Sequence, residues 1–589
     1  MGLFLRCHHR HKNGKDHEYW SVVENHRSVA GKVVQRQVLY LGELTRAQQS
    51  AWKTLSEQID PSPPAAAALP GFSGEEAASA VPVPKIDFSA FSLHHPRQWG
   101  ACWVADRMWR DLQLEPFWKA RLPASREGTA WWQVLQTLVT YRLIDPGSEF
   151  RLHRQWLPNS AMADLLGSED SLLSKDNLYR CLDKLLKHRD ALFAHLRSRW
   201  EDLFAAKFDL LLYDLTSTYF ESDPPFPDGD KRRFGYSRDR RSDCVQVIIA
   251  LVITPEGFPL AYEVMAGNTQ DKATLVGFLK KIRRRYGKAR RTWIMDRGIP
   301  TEETLALMRK PRHRIHYLVG TPRGQLNRLE ARLAERPWQA VRDSVSVKLL
   351  PQTDEVFVFV ESADRVGKER SMRRRKLRQL VERLKELRAQ SGLRRDDLLV
   401  KLGQAKQKAG RVYGLVEVRV PDTDGGPLEF GLRWPKLRQA WRREGRYLLR
   451  GNFAAEDPGR LWELYLQLVE IEAAFRNLKS DLELRPIFHA KESRIEAHIF
   501  VAFVSYCLHV CLRAHLRRVA GGLTPRALLE KFQSLQLIDV HLPMEDGRTL
   551  ILTRRTQPNL DQRLLLERLG WELPDQPPPR ITPAGGLER

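Results

Sequence analysis

Three carboxylates, Asp214, Asp296 and Glu472, stand beside stretches whose residue types predict buried regular structure. An apolar run ends at Asp214, a second short apolar run ends at Asp296, and Glu472 lies in a strongly helical stretch. A carboxylate at the end of a buried strand needs a hydrogen bond, an ion pair or a bound cation. Three such groups can hold two divalent cations about 3.5–4 Å apart.

Oxygen ligands with open positions favour Mg²⁺ or Mn²⁺. The expected reaction at such a site is in-line displacement at a phosphodiester. Bound ions would lower the pKa of a water or a sugar hydroxyl and would stabilise the leaving 3′ oxygen. Lysine and arginine side chains would help to balance the charge of the transition state.

The stretch 461–480 predicts one helix with a polar stripe. At 100° per residue, five residues fall within roughly 80° of one another on the helix wheel, and this stripe carries a phenol, an acid and two cations. Its members are Tyr465, Leu468, Glu472, Arg476 and Lys479. The alternative is a solvated face in which Glu472 and Arg476 form an ordinary pair one turn apart.

The order of predicted elements around Asp214 is typical of a ribonuclease-H-like mixed sheet. After the strand that ends at Asp214 come strands at 245–253 and 260–265, a helix at 271–286, a strand at 291–296, a helix at 301–308 and a strand at 316–320. In that fold the first strand is central and the fourth pairs beside it. Asp214 and Asp296 are therefore expected to lie side by side.

Composition and charge predict a polyanionic partner. The chain of 589 residues carries a net charge of +24, and nucleic acid is the partner that this excess favours. No basic amphipathic helix or lipidation signal supports a membrane. The apolar run 499–512 is too short to span a bilayer, so we expect a core helix there. The N-terminal stretch Met-Gly-Leu-Phe-Leu-Arg-Cys has too short an apolar run for a signal peptide, and we expect a cytoplasmic protein.

Six widely spaced cysteines without a CxxC pair predict reduced thiols and exclude a zinc ribbon. The sequence Cys7-His8-His9-Arg10-His11 could bind a metal, but a solvated basic arm is the favoured interpretation. His489 and His498 could assist proton transfer, although lone histidines are more often structural. No GxxxxGK[ST] loop occurs, so no nucleotide cofactor is expected.

A strongly basic segment lies at 364–411, which contains 17 Lys or Arg residues and only 6 Asp or Glu residues. Such a run can be a plain solvated face, but its one-sided charge favours contact with phosphates. Leu377, Leu380, Leu384 and Leu387 mark the apolar face of a helix within it.

The domain division predicted from these patterns has six parts. They are a small β-hairpin module (1–50), a Pro/Ala linker (51–95), a helical region (96–207), the catalytic core (208–320 and 451–520), a basic insertion domain (321–450), and a C-terminal segment with a disordered tail (521–589). The helical region is either a DNA-binding domain or an all-α domain whose aromatic residues form its core.

Together these residues resemble the DDE transposases of bacterial insertion sequences, in the insertion-sequence-four superfamily. That group carries a Tyr-x₂-Arg-x₃-Glu-x₆-Lys motif, and Tyr465, Glu472 and Lys479 keep its spacing. Leu468 stands where the group has arginine, and Arg476 on the same face could substitute. The resemblance covers roughly residues 15–515. It also includes the stretches around Asp214, Gly235-Tyr236, Gly267-Asn268 and Arg494-Ile495.

The resemblance implies an α/β catalytic core with an inserted domain and an all-α N-terminal domain. It implies that Asp214, Asp296 and Glu472 bind two Mg²⁺ or Mn²⁺ ions, and that cations at the matching motif positions contact DNA. The implied DNA-binding residues are Tyr465, Arg476, Lys479, Arg238, Arg297 and Arg485. The partners would be double-stranded element ends and target DNA, with a homodimer or larger assembly on DNA.

The implied activity is cut-and-paste transposition, in which nicking at terminal repeats precedes attack of the 3′-OH on target DNA. Trp338, Trp434 and Trp441 are candidates to hold a flipped base, although aromatic residues there are more often core. Two other functions remain open on sequence alone. They are a structure-selective nuclease of the same fold without strand transfer, and a DNA-binding regulator derived from a transposase.

Overall fold

The chain forms two compact units with mixed α and β structure, Met1–Gly287 with Val469–Arg589, and Lys288–Leu468. We refer to them as the larger and the smaller unit. The computed structural model describes residues 3–12, 15–27, 33–59, 86–168, 173–222, 224–236, 241, 243–269, 271–286, 291–296, 299–310, 315–321, 329, 332–333, 335–342, 344–390, 393–452, 457–484, 487, 489–582.

The larger unit begins with a three-stranded antiparallel sheet of β1 (Leu3–Lys12), β2 (Lys15–Arg27) and β3 (Val33–Gly42). The predicted hairpin is therefore incomplete, and the expected basic arm is wrong. Cys7 to His11 belong to β1, because that segment pairs with β2 from Leu3↔Glu24 to Lys12↔Lys15. Strand pairing satisfies the backbone of this polar segment without needing an apolar run.

Helix α1 (Arg46–Gln58) follows, and Thr45 and Gln48 form a capping box at its start. The linker prediction for 51–95 is wrong at both ends, since α1 extends to Gln58 and β4 (Ser92–Gln98) is a strand. The Pro/Ala-rich stretch 60–85 lies outside the described residues.

The region 96–207 is helical, as predicted. Its α-helices are α2 (Gly100–Asp111), α3 (Leu114–Lys119), α4 (Trp131–Ile144), α5 (Glu149–Arg151), α6 (Met162–Leu166), α7 (Lys175–Leu182) and α8 (Arg189–Phe204). Helix α5 continues into a turn of π-helix, Leu152–Trp156. Most residues of α4 are buried, which agrees with its lack of a polar face.

Three antiparallel strands then form a meander of β5 (Leu210–Phe220), β6 (Val245–Ile253) and β7 (Pro259–Ala266), followed by α9 (Asp271–Tyr286). The prediction that the first strand ends at Asp214 is wrong, because β5 continues to Phe220. The stretch Thr216-Ser217-Thr218-Tyr219 is rich in residues that favour strands. Its paired partners run from Leu212↔Ile253 to Phe220↔Val245.

The smaller unit contains a mixed sheet with the order β10-β11-β12-β15-β9-β8. Among these described strands, only β8 and β9 run parallel. The strands are β8 (Thr292–Met295), β9 (His316–Gly320), β10 (Gln339–Arg342), β11 (Val345–Pro351), β12 (Val356–Ser362), β13 (Val416–Arg419), β14 (Glu429–Leu432) and β15 (Arg446–Gly451). Strands β13 and β14 form a separate pair.

The helices of this unit are α10 (Glu302–Arg309), α11 (Ala363–Ala389), α12 (Arg395–Ala409), α13 (Trp434–Arg442) and α14 (Pro458–Leu466). Helices α11 and α12 share an apolar core. The predicted apolar face of α11 is confirmed, because Leu380, Leu384 and Leu387 are buried there against Leu398 and Leu402.

The predicted single helix at 461–480 is interrupted. Helix α14 ends at Leu466, helix α15 covers Leu468–Arg476, and Asn477–Asp481 winds as a π-helix. The division into units also falls here, between Leu468 and Val469. A wheel drawn at a constant 100° per residue therefore does not describe the whole stretch.

The larger unit ends with α16 (Glu492–Val519), α17 (Pro525–Phe532), β16 (Gln536–Pro543), β17 (Thr549–Arg555), α18 (Leu560–Leu569) and β18 (Arg580–Thr582). Strands β18-β17-β16-β4 form one antiparallel sheet. The predicted disordered tail is therefore wrong up to Thr582, since Ile581 pairs with Leu550.

Helix α16 is long and apolar enough to cross a membrane by length and composition. However, 94% of its most apolar window is buried within the protein. The predicted core helix is confirmed. All six cysteines are free thiols, and five of them are buried.

Two glycines allow a close backbone approach beside β6. Gln246 and Arg233 exchange backbone hydrogen bonds of 2.9 and 3.1 Å, and the Gly267 amide donates to the Lys231 carbonyl at 2.9 Å. A Cβ at Gly267 would collide with the carbonyl oxygens of Gln246 and Arg233, and one at Gly235 would collide with the Gly267 carbonyl. Both glycines are therefore needed for space, because backbone carbonyls cannot move aside cheaply.

We predict that Gly267→Ala destabilises the larger unit by about 2 kcal/mol or more, because the new methyl group displaces paired backbone. Gly277→Ala is the matched control, since Gly277 lies in α9 and has nothing within 4 Å of the place that a methyl group would take. This control should be neutral or stabilising by about 0.5–1 kcal/mol. Denaturant unfolding measures both, and an equal loss in the two variants would contradict the steric argument.

Candidate active site

Asp214 lies in the interior of strand β5 rather than at its end. Its neighbours Tyr213 and Leu215 are buried, and Leu251 on β6 is its buried cross-strand partner. Alternation along the strand places the Asp214 side chain on the face opposite Tyr213 and Leu215. The carboxylate is half-buried, and its Oδ1 accepts a hydrogen bond from the Leu215 amide at 2.7 Å.

Asp296 follows strand β8 directly, as predicted. Trp293, Ile294 and Met295 are buried, whereas Asp296 itself is exposed. The backbone carbonyl of Asp296 accepts from the Ile299 amide at 3.3 Å. The acid therefore stands where a buried strand reaches solvent.

Glu472 lies on helix α15 and is exposed. The opposite face of α15 is buried through Ile471, Ala474 and Phe475. Within the described part of the chain, Glu472 forms no ion pair, not even with Arg476 one turn later. The ordinary pair that was the alternative for this face is therefore not observed.

A second glutamate on the same helix, Glu470, has a different environment. Its carboxylate contacts Arg513 at 3.3 Å and Arg517 at 3.2 Å, both on helix α16. Next along the chain, Asn477 Nδ2 lies 3.1 Å from His509 Nε2, also on α16. Burial lowers the pKa of His509 to about 3, with Arg513 adding to the effect, so this histidine is neutral. Glu470 thus fixes helix α15 to α16, and Asn477 does the same for the π-helix that follows.

The predicted DNA contacts lie on several elements. Arg476 is exposed at the end of α15, and Lys479 is half-buried in the π-helix that follows. Tyr465 belongs to α14 in the smaller unit, where its ring lies 6.1 Å from that of Tyr447. The predictions for Arg238, Arg297 and Arg485 fall outside the described residues.

The three acids are divided between the units. Asp214 and Glu472 belong to the larger unit and Asp296 to the smaller one. Asp296 and Glu472 are exposed to solvent, and Asp214 is half-buried. Their convergence on one metal site remains a prediction.

The smaller unit exposes a basic face on helix α11. Some of its cations are neutralised, since Arg365 pairs with Glu369 at 3.0 Å and Arg383 with Glu386 at 2.7 Å. Others have no acidic partner among the described ion pairs, namely Lys368, Arg374, Arg375, Lys376, Arg378 and Lys385. Most of these side chains are exposed. The excess charge of the segment is therefore available to a polyanion.

The three candidate tryptophans of the smaller unit are partly exposed, at 39% for Trp338, 53% for Trp434 and 43% for Trp441. The alternative that they are core residues is wrong. Trp338 packs against Phe359 and has Lys348 Nζ 4.9 Å from its ring.

Sequence reasoning missed a buried group around Glu149. The Glu149 Oε1 atom lies 3.3 Å from His489 Nε2 and 3.4 Å from His498 Nδ1. Burial alone would raise the pKa of Glu149, but the hydrogen bonds from His489 and His498 outweigh it and leave the pKa well below its usual range. Burial and the adjacent Arg142 lower the pKa of His498 to about 4. No spacing signal joins Glu149 to histidines about 340 residues away in the sequence.

Two models of known protein families match parts of the chain. The sequence profile of the transposase DDE domain matches residues 205–508, slightly more than half of the chain. The profile of the N-terminal domain of IS1634 family transposases matches residues 5–62, which includes the three-stranded sheet and α1. No curated protein matches the chain.

Among solved structures, the chain is similar to the piggyBac transposase in a cryo-EM synaptic complex with hairpin DNA. The identity is 10%, the TM-score is 0.33, and the similarity covers 73% of this chain and 76% of the other. A TM-score this low supports no detailed structural comparison.

We predict that Glu470→Gln destabilises the larger unit by about 1 kcal/mol, because the charge that pairs with Arg513 and Arg517 is lost at a partly buried position. Glu472→Gln is the matched control on the same helix and should change the free energy of unfolding by less than about 0.5 kcal/mol. Urea unfolding of both variants tests the difference. A larger loss for Glu472→Gln would mean that Glu472, too, anchors the helix.

Proposed function

The chain belongs to the DDE transposase family and is a DNA transposase of the insertion-sequence type, and we propose that Asp214, Asp296 and Glu472 are its catalytic carboxylates. The observation that carries this assignment is the contrast between two glutamates on α15. Glu470 pairs with two arginines of α16, whereas Glu472 is exposed and has no ion-pair partner among the described residues. A helix that anchors one acid and exposes the other is suited to present a carboxylate to a cation.

We assign the core to the ribonuclease-H-like fold. The antiparallel meander β5-β6-β7, then helix α9, then the parallel pair β8 and β9 support this assignment. In that fold β5 would be central with β8 beside it. Asp214 and Asp296 would then be neighbours on adjacent strands.

The three carboxylates fit a pair of Mg²⁺ or Mn²⁺ ions. All the donors are oxygens, which these hard ions prefer. Asp296 and Glu472 are exposed, and Asp214 is half-buried with its Oδ1 accepting a hydrogen bond from the Leu215 amide. When bound, such ions supply a nucleophilic water or hydroxyl at neutral pH and stabilise the leaving oxygen.

The reaction proceeds in two displacements at phosphorus. Water first breaks the P–O3′ bond at an element end and leaves a free 3′-OH. That 3′-OH then attacks a phosphodiester of target DNA, where a new P–O bond forms and a target 3′ oxygen leaves. Arg476 and Lys479 follow Glu472 on the same helical segment and would hold phosphates near it. We propose DNA contacts also for Tyr465, Arg238, Arg297 and Arg485.

The basic face of α11 would bind DNA outside the reacting bonds. Its unpaired cations stand on a helix with its own core, so they form a rigid electrostatic surface. We propose that the protein works as a dimer or larger assembly on double-stranded DNA, without a nucleotide cofactor. Because the proposed partner is bacterial DNA, we expect the protein at the nucleoid in the cytoplasm.

We predict that Asp214→Asn, Asp296→Asn and Glu472→Gln each lower Mg²⁺-dependent cleavage of the element's ends by about 10³-fold or more, because each removes a charge that binds the ions. DNA binding in a gel-shift assay should persist. Glu470→Gln serves as the matched control and should keep most of the cleavage.

Capture of a labelled element end in a target plasmid measures the second displacement. Cleaved ends without any captured product would favour a nuclease over a transposase. Undiminished cleavage by Glu472→Gln would refute the assignment of that residue.

A second prediction concerns salt. Neutralising Arg374, Arg375, Arg378 and Lys385 to glutamine should flatten the slope of log K against log salt by about 3–4, because each phosphate contact releases about one counterion. Fluorescence anisotropy with a labelled duplex at several salt concentrations gives the slope. Arg365→Gln and Arg383→Gln remove cations already paired with glutamates and should change the slope little. Equal changes in both sets would argue against a DNA-binding face.

A further inference from the structure

A buried group with metal-binding chemistry lies apart from the proposed catalytic acids. It consists of Glu149 on α5, His489 in the segment before α16, and His498 on α16. Their side chains are 7%, 6% and 4% exposed. One carboxylate oxygen and two imidazole nitrogens, one from each residue, lie within 4.8 Å of one another.

The two contacts of Glu149 are long for charged hydrogen bonds, and their lengths also fit a metal coordination sphere. A charged hydrogen bond between nitrogen and carboxylate measures about 2.7–2.9 Å. Here the Glu149 oxygen lies 3.3 Å from one imidazole nitrogen and 3.4 Å from the other. In a tetrahedron with zinc–ligand bonds of about 2.0–2.1 Å, neighbouring ligand atoms are about 3.3–3.4 Å apart.

We propose that Glu149, His489 and His498 bind one Zn²⁺ ion in a structural site. Two imidazoles and one carboxylate are a donor set that zinc accepts, whereas Mg²⁺ does not favour nitrogen. The fourth position is left for a water or an anion.

Arg142 limits the affinity of this site. Its guanidinium lies 3.5 Å from His498 Nδ1, and it donates to the Glu483 carbonyl at 3.0 Å. The carboxylate of Glu149 neutralises only one positive charge, so Arg142 repels a dication and favours an anionic fourth ligand. Because this repulsion weakens binding, the protein can lose zinc during purification. Zinc binding should therefore be measured by titration with added Zn²⁺ as well as in the purified protein.

The site would join three segments far apart in the sequence. Glu149 comes from the helical region and His498 from the central helix of the larger unit. His489 belongs to the segment that follows the glutamate helix α15. A bound ion would therefore fix the chain leaving α15 and add stability that a chelator removes.

The other two groups of this type are less suited to a metal. Cys7, His9 and Glu18 lie on exposed or half-exposed positions of β1 and β2. In the group of Asp111, Cys511 and His515, burial raises the pKa of the Cys511 thiol well above its usual value, which disfavours the thiolate that a metal needs. This second group supplies a control residue, since His515 lies on α16 like His498.

The test measures metal content and needs no catalytic activity. The full-length Glu472→Gln variant, in which the proposed catalytic site is weakened, is titrated with Zn²⁺, dialysed and analysed by mass spectrometry. About one Zn²⁺ per chain is expected to remain. Co²⁺ in its place should give the visible absorption of a tetrahedral nitrogen-oxygen site, and zinc should raise the melting temperature.

Adding His489→Asn or Glu149→Gln should reduce the retained zinc to background and remove the zinc-dependent rise in melting temperature, whereas adding His515→Asn should leave both unchanged. His489 is the preferred position, because it lies in a connecting segment rather than in a helix. Circular dichroism confirms that each variant is folded.

Three results would overturn the proposal. They are no retained zinc in the parent protein, retained zinc in both ligand variants, and loss of zinc only in His515→Asn. In the first case Glu149 with its histidines is a hydrogen-bonded group that packs the helices. None of these results bears on the catalytic acids, whose test is cleavage.

Discussion

The burial of helix α16 is the constraint on which the larger unit depends. Every residue from Ala497 to Leu512 is buried, so the other elements must pack around this helix. Its polar atoms fix those neighbours in place. Arg513 and Arg517 bind Glu470, Tyr506 donates to the Gly257 carbonyl at 3.0 Å, and the Val519 carbonyl accepts from Trp52 at 3.1 Å. One helix thereby positions α15, the turn between β6 and β7, and the N-terminal α1.

The chemistry of a transposase follows from how these elements present charge. Carboxylates gathered at one place repel each other and are stable there only with cations. Helix α15 uses Glu470 for anchoring and leaves Glu472 exposed. In the proposed site, Asp214 and Asp296 supply the other two carboxylates from two rigid strands. The phosphates of DNA also need cations, and the exposed lysines and arginines of α11 that have no acidic partner among the described residues would bind them.

Sequence patterns predicted the elements whose residues alternate or repeat regularly. The strands β6 to β9, the apolar face of α11 and the buried α16 follow from such patterns, and the family motif identified the DDE class. Sequence patterns did not predict the segments whose structure depends on pairing with strands elsewhere in the chain. Strand β1 is polar but is held by β2, and Ile581 is fixed by Leu550. Glu149 could not be matched with His498, because only the tertiary fold brings them together.

The most direct test of the shared metal site is cleavage of the polypeptide by bound iron. Fe²⁺ replacing Mg²⁺, with ascorbate and peroxide, cuts the backbone close to its ligands, and mass spectrometry maps the cuts. Ions held jointly should give cuts near Asp214, Asp296 and Glu472, and Asp214→Asn should weaken all three together. Cuts near Asp296 that persist unchanged in Asp214→Asn would contradict a site built from all three acids.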